Sequence, residues 1–553
     1  MKRIFSVLLS CLLLCSITTW QAHAETVSDA KSSINTEAAL PLLVKQLPKT
    51  KLNKMPVLVD KIAATQHAKT RDILQFMLDG DLYYLKANKI IVQALKTEDG
   101  SYALTEVLTG AELAPVKKSK ISKVKTNNRL RGTIRSAIAK LDLTNPIKSI
   151  RLAAVKQLLD NPSDSGLLAV KELISQEQDD DVRTKMNVTL LLDQLKVGNH
   201  GEKIAAIKQL EDTLEPAVKN TMVNMLAALP EKGKTEEQKA LAKSLQKVIS
   251  NIEDKRSFFE VVENIFFGLS LGSVLLLAAI GLAITFGVMG VINMAHGEMM
   301  MLGAYTTYVI QLAFPNLIEY SLLMAIPAAF LVSGIVGIII ERGVIRYLKG
   351  RPLETLLATF GISLILQQLV RTIFSPLNRQ VQAPEWMTGS WEINPVFSLT
   401  FNRLYIIIFS LMVFVSLLLI LKKSSLGLHV RAVSQNRDMA RALSIKSDWV
   451  DAITFGLGSG IAGIAGVVLS QLTNVGPNLG QAYIIDSFLV VVFGGVGNLW
   501  GTLVAAMSLG SINKFLEPLT GSVLANIIVL VGLVLFIQKR PKGLFPQKGR
   551  AAD

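Results

Sequence analysis

Cysteine is almost absent from this 553-residue chain: its two cysteines, Cys11 and Cys15, both lie near the N-terminus. There Lys2 and Arg3 precede an apolar run from Ile4 to Cys15 and then Ala22-His23-Ala24, the layout of a cleaved secretory leader over residues 1 to 24. Removing that leader removes every thiol, which excludes disulfides and thiolate metal sites from the mature chain. Leu14 stands where a lipoprotein leader carries a small residue, which argues against lipid attachment at Cys15. Histidine is also scarce, with five in all. Only His296 and His429 follow residue 256, and they do not form a zinc-binding spacing. Aromatics make up 6 %, so the net charge of +15 does not describe a nucleic-acid surface. A phosphate loop is missing too: Gly233-Lys234-Thr235 ends like one, but Ala228 holds the place of the first glycine and no strand precedes it.

Apolar residues are plentiful, at 50 % of the chain with a mean hydropathy of +0.41. They concentrate after about Val261, whereas residues 25 to 255 read as ordinary water-soluble sequence. Three regions follow: a leader at 1–24, an exported soluble domain at 25–255 and a transmembrane domain at 256–553. In the soluble domain, Pro41, Pro48 and Pro56 cut an early helical stretch into short pieces. Strand-like runs around Tyr83, Ile91 and Ala103, set off by Asp-Gly turns, predict a small β-hairpin element of two or three strands within 79–110. The basic run Lys117 to Arg131 reads as a solvated linker. From about 140 to 255 amphipathic helices recur. Residues 151–158 (RLAAVKQL) are echoed at 203–210 (KIAAIKQL), with Asp181-Val182-Arg183 resembling another start, which suggests a HEAT-like helical array.

Segments of spanning length fall at 264–288, 298–314, 321–341, 353–374, 402–421, 450–471 and 520–538. Another, 483–512, is interrupted by Gly494, Gly495 and Gly497. The predicted fold is thus mainly α, a polytopic membrane bundle of about seven full spans plus a glycine-broken segment forming two short helices or a re-entrant pair. Basic residues cluster between 342 and 351, between 422 and 446, and after 539, which places those stretches in the cytoplasm. An odd number of crossings must separate an exported N-terminal domain from a cytoplasmic tail, so 483–512 has to cross twice or dip and return. The connection 288–297 has no Lys or Arg and is expected to fold into the bundle. Gly268/Gly272, Gly456/Gly460 and Gly497/Gly501 read as sites of close helix packing.

Three features carry chemistry. Asn293, His296 and Glu298 interrupt two apolar segments, where polar groups are costly unless they face protein or water. Thr355, Thr359, Ser363, Gln367 and Arg371 recur at steps of four, one drifting helix face. The neutral middle of that stripe suits a small uncharged solute, and Arg371 is placed near the outer end. Residues 431–446 read as one amphipathic helix, with Ala432, Met439, Ala440 and Leu443 apolar and Arg431, Arg437, Asp438 and Arg441 polar.

Residues 286–298 (FGVMGVINMAHGE) resemble the first signature of branched-chain amino acid type ABC permeases. So do Gly427 with Arg431-Ala432, residues 462–466 (AGIAG), the 494–497 run (GGVG) and the terminal 540–545 (RPKGLF). Within that family, residues 357–368 (LATFGISLILQQ) and 384–389 (PEWMTG) look like the urea permease branch, some members of which carry a long exported extension. The resemblance implies an inner-membrane, multi-pass permease with a periplasmic N-terminal domain and a cytoplasmic tail. It implies as partners a second permease subunit, two ABC ATPases that use ATP and Mg, a periplasmic solute-binding protein and membrane lipid, with no nucleic acid and no cofactor on this chain. The expected roles are a solute pathway at Asn293, His296, Glu298, Thr359, Ser363 and Gln367, and ATPase coupling through 431–446. The family loop continues Leu-Gly-Ile where this chain has Leu443-Ser444-Ile445. Competing readings are a permease for branched-chain amino acids or short amides, a membrane-anchored receptor, and an intramembrane enzyme using His296 and Glu298.

Overall fold

A computed structural model of the chain describes residues 39–65, 67–97, 100–230 and 235–545; the expected leader lies outside them. Two compact units emerge, one from Met1–Glu211 with Asn224–Leu245 and one from Asp212–Val223 with Gln246–Asp553.

The first unit begins with α1 (Ala39–Val44), α2 (Met55–Ala64) and α3 (Thr70–Asp79). Pro56 sits in the first turn of α2, where a missing N–H removes no helix bond. Gly80 ends α3 in the left-handed conformation, φ 86°, and its N–H donates to Phe76 O. A sheet follows, built from β1 (Leu82–Leu85), β2 (Ile91–Lys96), β3 (Tyr102–Glu106), β4 (Glu112–Val116) and β5 (Ile121–Lys123). Its order is β4-β3-β2-β1-β5 with antiparallel neighbours throughout. The expected hairpin of two or three strands is therefore a five-stranded sheet. The added edge β5 comes from the basic run expected to be a linker. There Ile121 and Val124 are buried between exposed lysines, and the strand pairs with β1.

Helices α4 (Asn128–Asp142), α5 (Lys148–Asp160), α6 (Asp164–Leu173), α7 (Asp180–Val197) and α8 (His200–Gln209) complete this unit's regular core. The echoed segments fall in α5 and α8, and Asp181 opens α7. Ser163, Asp179 and Asn199 cap three of these helices, each side chain accepting from N–H groups in the first turn. Arg151 clamps Glu177 through Nε and Nη2 at 2.8 and 2.9 Å. Burial opposes the Glu177 charge, yet this guanidinium and the Asp179 N–H hold its carboxyl below the usual range. Helices α9 (Pro216–Ala227) and α10 (Glu236–Met289) contribute residues to both units.

Beyond α10 the second unit contains α11 (His296–Ala313), α12 (Ser321–Gly343), α13 (Pro352–Phe374) and α14 (Phe401–Lys423). Between the last two lies a small hairpin, β6 (Ser390–Glu392) with β7 (Ser398–Thr400). Then come α15 (Ser425–Gln435), α16 (Arg437–Ala442), α17 (Ser447–Ser470), α18 (Leu479–Gly494), α19 (Leu499–Thr520) and α20 (Ser522–Lys539). Among the described residues six helical stretches are long and apolar enough to cross a membrane: Glu236–Met289, Pro315–Gly343, Pro352–Phe374, Phe401–Lys423, Ser447–Ser470 and Ser522–Lys539. The seventh expected span, 298–314, is the 18-residue α11, about 27 Å long. The glycine-broken segment forms two helices, the 16-residue α18 and the 22-residue α19.

Helix α17 is the buried centre, packed against α11 and α12. Gly456 and Gly460 face Gly334, Phe330 and Ile338 of α12, so their spacing does serve close packing. Gly268 and Gly272 likewise abut α19. Gly497 and Gly501 do not share a helix, because Gly497 lies in the turn before α19 and has φ 78°.

That turn also explains the C-terminal motif. Leu544 N–H donates to Phe493 O at 2.9 Å, Phe545 N–H to Gly494 O at 3.1 Å, and Asn498 Nδ2 to Phe545 O at 3.2 Å. Gly495 has φ 103°, and a Cβ there would lie 2.6 Å from Phe545 O. Gly495→Ala is expected to destabilise the chain by about 2 kcal/mol or more through combined strain and clash. Thermal unfolding of the detergent-solubilised chain reads this, and an unchanged midpoint would contradict the packing.

Candidate functional site

Helix α10 stops at Met289, and Gly290, with φ 69°, turns the chain. Residues 291–295 then run inside the bundle instead of along a surface, as their lack of basic residues suggested. Asn293 is buried, and its Oδ1 accepts from Ala295 N–H at 3.0 Å, which fixes the turn into α11. Met294 N–H donates to Thr359 Oγ1 at 3.1 Å, tying that turn to α13.

His296 and Glu298 stand two positions apart in the first turn of α11, a spacing that sends their side chains to different sides. His296 is fully buried, and its Nε2 lies 2.8 Å from Ala278 O on α10. A carbonyl only accepts, so Nε2 donates in this contact. Glu298 turns toward α13, where its Oε1 accepts from Ser363 Oγ at 2.9 Å and Gln367 Nε2 at 2.7 Å. Gln367 Nε2 also lies 3.4 Å from Ser363 Oγ. His296 Nδ1 and Glu298 Oε2 are buried with no hydrogen-bond partner among the described residues. The two side chains thus join α11 to different helices, and a His–Glu catalytic pair is not formed.

The expected polar stripe is real as geometry. Thr355, Thr359, Ser363 and Gln367 are the buried polar positions of α13, while Leu357 and Ile365 on its other side are 70 % and 66 % exposed. Thr355 caps backbone carbonyls at Leu348 and Arg351. Arg371 donates to Asn478 Oδ1 at 2.7 Å, beyond the cluster. The expected pathway residues are therefore only partly brought together: Asn293 shapes the turn and His296 is directed to α10, while Glu298, Thr359, Ser363 and Gln367 line the turn's polar seam with α13. Glu298 forms no ion pair among the described residues. The seam offers hydroxyl and amide groups and one carboxylate oxygen able to accept a further N–H.

The loop after α14 differs from expectation. The single helix 431–446 is broken at Asn436, which adopts φ −149° and caps α16 by accepting from Asp438 and Met439 N–H. Asparagine caps helices better than it continues them, so α15 and α16 are separate. The basic residues are largely engaged within the chain. Arg431 donates to Leu421 O, covering the end of α14. Arg437 grips fully buried Asp451 through two nitrogens at 2.6 and 3.2 Å, and Lys349 pairs with the same carboxylate. Arg441 Nε donates to Ser447 Oγ at 2.8 Å, while Asp438 is exposed. Ala440 is buried and Ala432 half-buried, whereas Met439 and Leu443, one helical turn apart, are 61 % and 73 % exposed. Asp451 and its pairing with Lys349, a residue counted only in a basic loop, went unnoticed in the sequence, although a carboxylate inside a spanning segment was itself a signal.

Ser444 ends α16 with φ 63°, the left-handed region that favours glycine. This accounts for the glycine usual in the resembling loops. Ser444→Gly is expected to stabilise the chain by about 1 kcal/mol; a lowered melting temperature would contradict it.

Comparison with known proteins agrees with this architecture. The family described as "Branched-chain amino acid transport system / permease component" matches residues 264–538. The high-affinity branched-chain amino acid transport system permease protein BraD of Pseudomonas aeruginosa is 30 % identical over 288 residues, covering 50 % of this chain and 93 % of that protein. Its counterpart LivH of Escherichia coli is 29 % identical over 304 residues, covering 52 % and 96 %. The ribose import permease protein RbsC of Escherichia coli is 25 % identical over 309 residues, covering 54 % and 91 %. No solved structure matches the chain. The chain belongs to the branched-chain amino acid transport permease family, a multi-pass membrane transport subunit by its helices and its relatives.

Proposed function

We propose that this chain is a permease subunit of an ATP-driven ABC importer that carries urea across the bacterial inner membrane. The observation that carries the reading is the seam between α11 and α13. Glu298 is held by Ser363 and Gln367, and among the described residues its second oxygen has no hydrogen-bond partner and its carboxylate forms no ion pair. Urea is small and uncharged, with four N–H donors and one acceptor, and such a seam suits its hydrogen bonding without a fixed positive charge for a carboxylate. The resemblance of residues 357–368 and 384–389 to urea permeases points the same way.

In this reading the basic loops and tail are cytoplasmic, and the first unit, delivered by a leader at 1–24, stands in the periplasm. There it docks a solute-binding protein or supports assembly. The HEAT-like helices fit partner binding better than catalysis. ATP and Mg are used by two partner ATPases, and a second permease subunit completes the pathway. The exposed Met439 and Leu443 give an ATPase an apolar foothold, while Arg437 anchors α16 to the bundle so that movement of the loop is transmitted to α17.

A second reading, import of branched-chain amino acids, is favoured by the names of the relatives, and by an acceptor that would also suit an ammonium group. Uptake of labelled urea and labelled leucine in cells lacking this chain separates the two. Loss of urea uptake with leucine uptake intact is expected, in a strain with no other urea permease. Loss of leucine uptake with urea uptake unchanged would overturn the assignment.

A further inference from the structure

Where α12 ends and α17 begins, a cleft of about 450 Å³ opens at the basic end of the second unit. Four cationic side chains line it, Arg342, Arg346, Arg441 and Lys446, against one carboxylate, Asp448. They come from two separate stretches of chain, one before α13 and one after α15, so the fold assembles the charge.

Internal contacts engage these cations only in part, Arg441 through its Nε bond to Ser447 Oγ. Arg342 lies over the Trp449 ring at 4.3 Å, which fixes its guanidinium plane, while its Nη2 is buried and has no hydrogen-bond partner. Its nearest carboxylate oxygen, on Glu341, is 3.9 Å from Nε. Arg346 and Arg441 approach Asp448 only to 3.6 Å each, too far for a hydrogen bond. Lys446 is exposed. The cleft also receives the N-terminus of the 24-residue α17, where Trp449 N–H bonds Lys446 O, the Ser447 and Asp448 N–H groups precede the first helical bond, and the positive end of the helix dipole lies. Ser447 Oγ and Ser444 add hydroxyls at the rim.

We propose that this cleft binds an anionic phosphate ester. A planar guanidinium held on an indole, with neighbouring cations and a helix N-terminus, matches the oxygens of a phosphate better than a single carboxylate. The volume exceeds that of inorganic phosphate and leaves room for the group esterified to it. Two sources supply this chemistry. One is the headgroup of an acidic phospholipid, suited to a basic cleft where helices leave the bilayer beside a half-exposed tryptophan. The other is a soluble phosphate compound such as a nucleotide. The site is separate from the α11–α13 seam and does not depend on which solute is carried.

Native mass spectrometry of the full-length, delipidated chain, titrated separately with phosphatidylglycerol, net-neutral phosphatidylcholine, inorganic phosphate and ATP, tests the proposal. The discriminating variant is Arg346→Gln with Lys446→Gln, which leaves the Arg342–Trp449 stack and the Arg441–Ser447 bond in place. At about 1 kcal/mol per cation, removing two charges weakens binding roughly 30-fold. Arg346→Lys with Lys446→Arg restores it, and binding to the unaltered chain falls as salt rises. Preferential retention of phosphatidylglycerol with that dependence supports the site and assigns it to lipid. The same dependence for ATP or phosphate, without lipid retention, supports it and assigns a soluble ligand. Equal binding by the unaltered and glutamine chains, both eluting as folded species, would overturn the proposal. So would binding of none of the four probes.

Discussion

Asp451→Ala is expected to lower the stability of the purified chain by about 3–5 kcal/mol, because it strands Arg437 and Lys349 beside an empty position at the head of α17. Asp448→Ala, three residues earlier, removes a carboxylate that is 38 % exposed and held only at 3.4 to 3.6 Å. That change should cost under about 1 kcal/mol. Denaturant or thermal unfolding in detergent compares them, and equal effects would contradict the buried anchor. A double-mutant cycle of Arg437→Gln with Asp451→Asn should show non-additivity, since the two side chains bond directly and either change alone removes that same contact. The anchor also changes how coupling has to be probed. Charge reversal at Arg437 sets a carboxylate against Asp451 and unseats α16, so lost ATPase stimulation in that variant reports folding as much as docking. Met439→Asp with Leu443→Asp alters only the exposed face. It should abolish solute-stimulated ATP hydrolysis in the assembled importer while leaving the melting temperature of this chain unchanged.

The second large effect is expected at Glu298. Glu298→Gln keeps an oxygen to accept from Ser363 and Gln367 but replaces the unpartnered acceptor with an N–H donor. If that acceptor meets the solute, transport falls roughly 10- to 100-fold, the equivalent of one lost charged hydrogen bond, with little change in stability. Glu298→Leu leaves the Ser363 and Gln367 donors unsatisfied as well and lowers both transport and stability. Unimpaired uptake by a correctly inserted Gln variant would make the seam a purely structural joint between α11 and α13.

The parts of this molecule most legible in its sequence are those governed by local periodicity. Four-residue steps exposed the Thr359–Ser363–Gln367 face of α13, and the placement of Glu298 between apolar segments marked its partner, because both follow from side-chain direction along a helix. Close packing at Gly456 and Gly460 could be read in the same way. The misread parts depend on contacts between distant residues or on a single backbone choice. Lys349 and Asp451 meet only when the end of α12 is brought beside α17. The pairing of Phe545 with Gly494 joins two motifs that looked independent. Asn436 divides a loop whose apolar pattern alone favours one helix, and β5 is a strand because β1 offers it an edge, despite its lysines. Ser444 lies between these cases. Its departure from the resembling loop was visible, but only the positive φ explains why glycine is usual there.

The central claim is that this chain carries urea in an ATP-driven importer. It is tested most directly by accumulation of labelled urea in proteoliposomes containing the chain with its partner permease, ATPases and binding protein. The account predicts accumulation that requires ATP and this chain, and that excess unlabelled leucine does not inhibit. ATP-driven accumulation of labelled leucine, with none of urea, would contradict it.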